Sequence, residues 1–202
     1  MERSDIALKL LNDWRWFLEI GKWLEDSPEL ANQPATIDGH DRSQTWSVKD
    51  HWVHAWDTGV GHSWISDYVA ANGERPLSSF ADLGGLDLVS DFEKVLAYID
   101  AGTHEVFIRH RDKSMKELFP VAEAAMGWWL TLLSSLTDEQ LKLPGAGHGD
   151  GTLGGVIAFT GDHMRLHLKW ALEGIANGVG EPEDLHAGVK ALRAAHVSQA
   201  AD

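Results

Sequence analysis

The sequence predicts an all-α fold, a bundle of four long helices with an extra helix or two. Three observations carry this. Apolar residues recur at three- and four-residue steps over long segments. Helix-start signals of the Ser/Thr-x-x-Asp/Glu/Gln type stand before three helical segments. The apolar/polar alternation of a strand is nowhere convincing. With 202 residues the chain has the length of one ordinary domain. The bundle is expected over 1–180, with a helical or flexible C-terminal extension over 181–202.

Ser4 and Asp5 open the first helix, in which Leu10, Trp14, Phe17, Gly21 and Leu24 recur with helical spacing, and Ser27-Pro28 closes it. After a loop to about Thr45, Ser47 reads as an N-cap with Asp50 three residues on. A Trp-rich helix then runs to Ala71, before Asn72-Gly73. The linker ERPLSSFADLGG precedes a third periodic segment built on Phe92, Val95, Leu96, Ile99, Val106 and Phe107, with Gly102 a candidate interruption and its end near Arg111. Ser114 and Glu117 form a full capping box. Behind them Leu118, Phe119, Ala122, Ala125, Met126, Trp129, Leu133 and Leu136 make the cleanest amphipathic stripe in the chain. Thr137 and Gln140 repeat the signal for a short turn. A glycine-rich loop over 144–151 leads to a long helix from Thr152 to about Asn177, and a weaker one is expected over 183–200.

Composition narrows the function. There is no Cys, which removes disulfide scaffolds, thiolate metal sites and cysteine nucleophiles together. Any metal must sit on His, Asp or Glu. A net charge of −14 repels phosphate backbones and anionic lipid, so neither a nucleic acid nor a membrane surface is an expected partner. The start of the chain lacks a signal-peptide h-region, and the longest nearly apolar stretch, Ala124 to Leu133, is well short of the roughly 18 residues of a membrane span; a cytoplasmic protein is expected. Ten Trp and eleven His stand out beside two Tyr and six Phe.

The histidines give that excess a direction. In the last long helix Val156, Phe159, Thr160, His163, Leu166, His167 and Trp170 share one arc, opposite Asp162, Arg165, Lys169 and Glu173. His163 and His167, one turn apart, can both ligate one divalent ion. A single inward His is more often a hydrogen-bonded core residue, but two together each need a buried partner of their own. On the Trp-rich helix Asp50, His54, Asp57 and Gly61 lie within about 60° on an ideal wheel. His54 is the candidate third ligand. Asp50 or Asp57 would accept its other ring proton or bind the metal directly, unless each is simply a solvated acid. His51 and His62 compete with His54 for the role, whereas His40, His186 and His196 read as surface residues.

Three segments carry a resemblance. They are Trp46-Ser-Val-Lys-Asp50-x-x-x-His54, Arg111-Asp-Lys-Ser114 leading to Leu136-Thr-Asp-Glu-Gln-Leu141-x-x-Pro144, and Leu153-Gly-Gly-x-Ile-x-x-x-x-x-Asp-His163-x-x-x-His167. The resemblance extends over roughly residues 5 to 178. In these the chain resembles the DinB/YfiT-like superfamily of helical-bundle metalloproteins, which includes mycothiol-dependent maleylpyruvate isomerases and, more distantly, ClbS/DfsB-like proteins. The resemblance implies a DinB-like four-helix bundle in which His54, His163 and His167 form a facial triad on one divalent metal, zinc or nickel. His104 and His148 have no counterpart role.

Three imidazoles on one ion leave positions open for chemistry. A metal-activated water would serve hydrolysis. A low-molecular-weight thiol (mycothiol, bacillithiol or glutathione) would instead serve transfer or isomerisation, as the resemblance implies; without Cys, the sulfur must come from outside the chain. Trp52, Trp56, Trp64, Trp128, Trp129 and Trp170 are candidates for an aromatic wall over the metal, each also readable as core. Trp170 is the firmest and Trp56 the next to be assigned to ligand binding. The expected substrate is a small hydrophobic or electrophilic molecule. A non-catalytic stress or resistance protein that sequesters such a molecule is the alternative, and a structural bundle, expected as a dimer, with merely buried histidines is the third reading.

Overall fold

The computed structural model describes residues 1–35, 46–57, 63–75, 85–86, 90–145 and 150–176. The described elements are helices: α1 (Arg3–Asp26), α2 (Pro28–Ala31), α3 (Val48–Trp56), α4 (Ser63–Ala70), α5 (Phe92–His110), α6 (Met115–Ser135), α7 (Asp138–Leu141) and α8 (Leu153–Ala176). Among the described residues the only β-type pairings are two isolated bridges, so the all-α expectation holds. No helix of the described residues is long and apolar enough to cross a membrane. The weak helix expected over 183–200 and the extension over 181–202 lie outside the described residues.

α1 buries Ile6, Leu10, Phe17, Ile20, Gly21 and Leu24 along one face, the periodicity read from the sequence. Its N-cap is Glu2, so Ser4 and Asp5 sit inside the first turn, where Asp5 faces the positive end of the helix dipole. Pro28, which has no N–H to offer a continuing helix, starts α2 instead. All three capping boxes form, at Ser47/Asp50, Ser114/Glu117 and Thr137/Gln140. α5 runs unbroken through Gly102, and α6 through Pro120.

The Trp-rich segment departs from expectation. It is not one helix to Ala71: α3 stops at Trp56, Asp57 is extended with φ −122° and ψ 95°, and α4 is a separate element. The sequence that follows, Thr58-Gly-Val-Gly61, is unfavourable for a helix at every position, with Gly costing about 1 kcal/mol relative to Ala.

α8 is the central element, packed most extensively on α3 and α1, while α6 packs on α1 and α5 lies against α3. The α1–α8 contact is close because α8 presents glycines there. A Cβ on Gly154 would come within 3.0 Å of Ile6, and one on Gly161 would strike the Asp13 carboxylate. Asp13 is buried and held by Lys9 at 3.2 Å and Arg165 at 3.5 Å. On the α3 side Trp52 lies flat on Phe17, 4.6 Å between centroids and 11° between planes, and its Nε1–H donates to the Phe17 carbonyl. Gly21 leaves the space for that indole, since a Cβ would lie 2.7 Å from its ring.

Candidate metal centre

The site starts at the N-terminus of α3. The Ser47/Asp50 box fixes the first turn, and the strand-like pairing before it fixes the approach: Ala35 N–H donates to Trp46 O at 2.9 Å and Val48 N–H to Gln33 O at 3.0 Å. One turn past the box, His54 faces α8. There His163 and His167 stand one above the other.

The three imidazoles converge. Ring centroids lie 4.3 Å apart for His54 and His167, 4.7 Å for His163 and His167, and 5.2 Å for His54 and His163. One nitrogen from each can be chosen so that all three lie within 4.8 Å of one another. His54 and His167 are buried and His163 is half-buried. This set could hold a metal ion. Three neutral imidazole donors without an added carboxylate fit an ion of the zinc or nickel type better than magnesium or calcium, which prefer oxygen. Among the described residues no Asp or Glu completes the group.

The arc that carries these histidines is not the deepest face of α8. Ile157, Gly161, Met164, Leu168 and Leu172 line that face, and Leu166, expected inward, is 43% exposed. The triad therefore sits on the flank of α8 where α3 docks, with two of its rings buried.

The two carboxylates near His54 are occupied elsewhere. Asp50 Oδ2 accepts from Ser47 N–H and Ser47 Oγ–H, each at 2.8 Å. Asp57 Oδ2 lies 3.1 Å from Nε2 of the buried His110 and 3.7 Å from Arg109. His110, which sequence reasoning passed over, thus ties the end of α3 to the end of α5. Trp56 packs on this pair, 5.3 Å from His110, and on Trp52.

Aromatic rings do cover the triad, although Trp170 is the only one of them that the sequence singled out. Trp170 meets His167 edge-on at 4.9 Å. The principal cover is Trp46, stacked on His167 at 5.5 Å and 20°, 5.1 Å from His54 and 4.8 Å from His51. Phe107 closes the edge of Trp46 at 4.8 Å. The signal for Trp46 was its place: it immediately precedes the N-cap and packs on the fourth helical residue, the two positions of a hydrophobic staple. Trp52 and Trp129 are core, and Trp128 packs on Trp129.

His51 does not replace His54. It is fully buried behind His167, with Nδ1 3.2 Å from His167 Nδ1 and Nε2 3.0 Å from the Ala35 carbonyl. Beyond Trp46 and Phe107 lies a cavity of about 450 Å³ whose other walls include Lys49, Asp100, His104 and Arg111. Lys49 donates to the carbonyls of Arg111 and Lys113, and burial pushes its pKa below the usual lysine value. The cavity is more polar than the apolar pocket expected from the tryptophans. His40, His62, His148, His186, His196 and the side chain of Trp64 lie outside the described residues. No protein-family model, curated protein or solved structure matches this chain.

Proposed function

We propose that this is a divalent-metal protein of the DinB/YfiT-like kind, in which His54, His163 and His167 hold one zinc or nickel ion, and that it is an enzyme acting on a small molecule. The convergence of three imidazoles from two helices, with no fourth protein ligand among the described residues, carries the reading. Structural zinc sites are closed by four protein ligands, whereas a three-ligand site keeps a position for a reactant. The ion would supply Lewis acidity there.

The chain's own residues supply the rest. Trp46, Phe107 and Trp170 shield the imidazoles from bulk water, which strengthens every electrostatic interaction inside. The cavity beyond Trp46 has the volume of a small-molecule site, with aromatic wall for a hydrophobic body and Lys49, His104 and Arg111 for polar groups. With no Cys in the sequence, thiol-dependent transfer or isomerisation would use an external thiol such as mycothiol, bacillithiol or glutathione, and hydrolysis would need none. One observation favours the second reading, a binder that sequesters its ligand: Trp46 lines the cavity and stacks on His167, while none of the three histidines lines the cavity.

Metal analysis by mass spectrometry of protein purified without a His tag tests the proposal. About one equivalent of zinc or nickel is expected, lost in the His163→Ala/His167→Ala double variant. A wild type that holds no metal, even after zinc or nickel is added, overturns it. Turnover in a panel of thiols then separates enzyme from binder.

A further inference from the structure

We infer that His51 is a positioning residue for the metal ligand His167, fixing which of its two ring nitrogens is offered to the ion. The inference rests on the metal-centre reading above, and follows from a short chain of hydrogen bonds whose direction is set at one end.

That end is the Ala35 carbonyl, which can only accept. His51 Nε2, 3.0 Å away, must therefore carry the proton and donate. In a neutral imidazole the other nitrogen is then a lone pair, so His51 Nδ1 accepts. Its partner at 3.2 Å, His167 Nδ1, must be the donor. His167 is left with its lone pair on Nε2. The opposite assignment sets the bare Nε2 of His51 against the carbonyl oxygen, two acceptors face to face in a site closed to water. Tautomers are assigned from such networks, and with both rings neutral these two bonds admit one assignment.

The relay is anchored. Ala35 is buried and its own N–H donates to Trp46 O, so the accepting carbonyl is part of the pairing that precedes α3. His51 is on α3, three residues before His54, and its ring is packed between Trp46 at 4.8 Å and Trp170 at 5.9 Å. A carboxylate or carbonyl in contact with a ligating His usually does this work; here an imidazole does it, and passes the orientation on from a backbone carbonyl. The relay is also a reason for a polar ring at a fully buried position.

Zinc affinity, measured by chelator competition on the full chain, tests this. His51→Phe keeps an aromatic ring against Trp46 and removes the acceptor, and should weaken zinc binding about 10- to 100-fold. His51→Asn, whose Oδ1 can stand where Nδ1 stood, should recover most of that loss. Equal zinc affinity in wild type and His51→Phe overturns the inference and leaves the metal centre intact, whereas a wild type without zinc affinity overturns the metal centre itself. A second readout does not depend on a variant folding. Long-range ¹H–¹⁵N correlation spectra of the zinc-loaded wild type should show His167 protonated at Nδ1. Protonation at Nε2, with zinc on Nδ1, overturns it.

Discussion

At the residue scale, what was legible depended on how local each role is. His163 and His167 announce themselves because four-residue spacing on a helix is a geometric fact. His54 follows from the same logic once Ser47 and Asp50 fix where its helix starts. His51 could not be placed, because its role depends on a carbonyl 16 residues away and an imidazole 116 residues away. Asp50 shows the reverse: a carboxylate on the right arc of the wheel was free to be a ligand in sequence and is committed to the cap in space. Asp150 is a similar case with a measurable signature. The Thr152 hydroxyl, then the terminal ammonium and the Thr152 N–H, hold its carboxyl down at about 2. A carboxyl depressed in the folded state stabilises above its unfolded value and loses that contribution as pH falls toward the folded one. Asp150→Ala should therefore be less stable than wild type at about pH 6, and the gap should close as pH drops from about 4 to about 2, as urea unfolding at each pH would show.

At the element scale, the strong amphipathic stripe of α6 and the capping boxes were read correctly because their signals lie within a few residues. The break at Asp57 was not, since periodicity continues past it and only the run of Gly and β-branched residues argues for a stop. The deepest face of α8 was misjudged for a related reason. Gly154 and Gly161 contribute little to a hydrophobic pattern, yet they let α1 approach. Gly161→Ala sets a methyl group against the Asp13 carboxylate, which Lys9 and Arg165 hold in place. It should destabilise the protein by about 1–3 kcal/mol, checked by denaturant unfolding, while leaving zinc stoichiometry unchanged.

At the scale of the whole molecule, the all-α class and the His triad were both within reach of the sequence, while the polar cavity was not. Its walls come from α3 and α5 and the turn after α2, whose mutual placement no local pattern encodes. The metal reading also makes a prediction about the molecule as a unit. An ion held by α3 and α8 together binds only where the two are docked, so occupancy adds to stability by mass action, about 4 kcal/mol when the free ion is at a thousand times its Kd. Removing metal with a chelator should lower Tm in the wild type and leave the His163→Ala/His167→Ala variant unmoved, as parallel thermal melts would show.

The division of the ligands between α8 and α3 also bears on the order of events in assembly. His163 and His167 are brought together by one turn of helix, a pairing that needs only local order in α8. His54 arrives from about 110 residues earlier in sequence, and only when α3 docks. On the metal-centre proposal, α8 alone would carry two of the three ligands. On that proposal an ion held by α8 would have two ligands in hand and would favour the docking of α3, which brings the third.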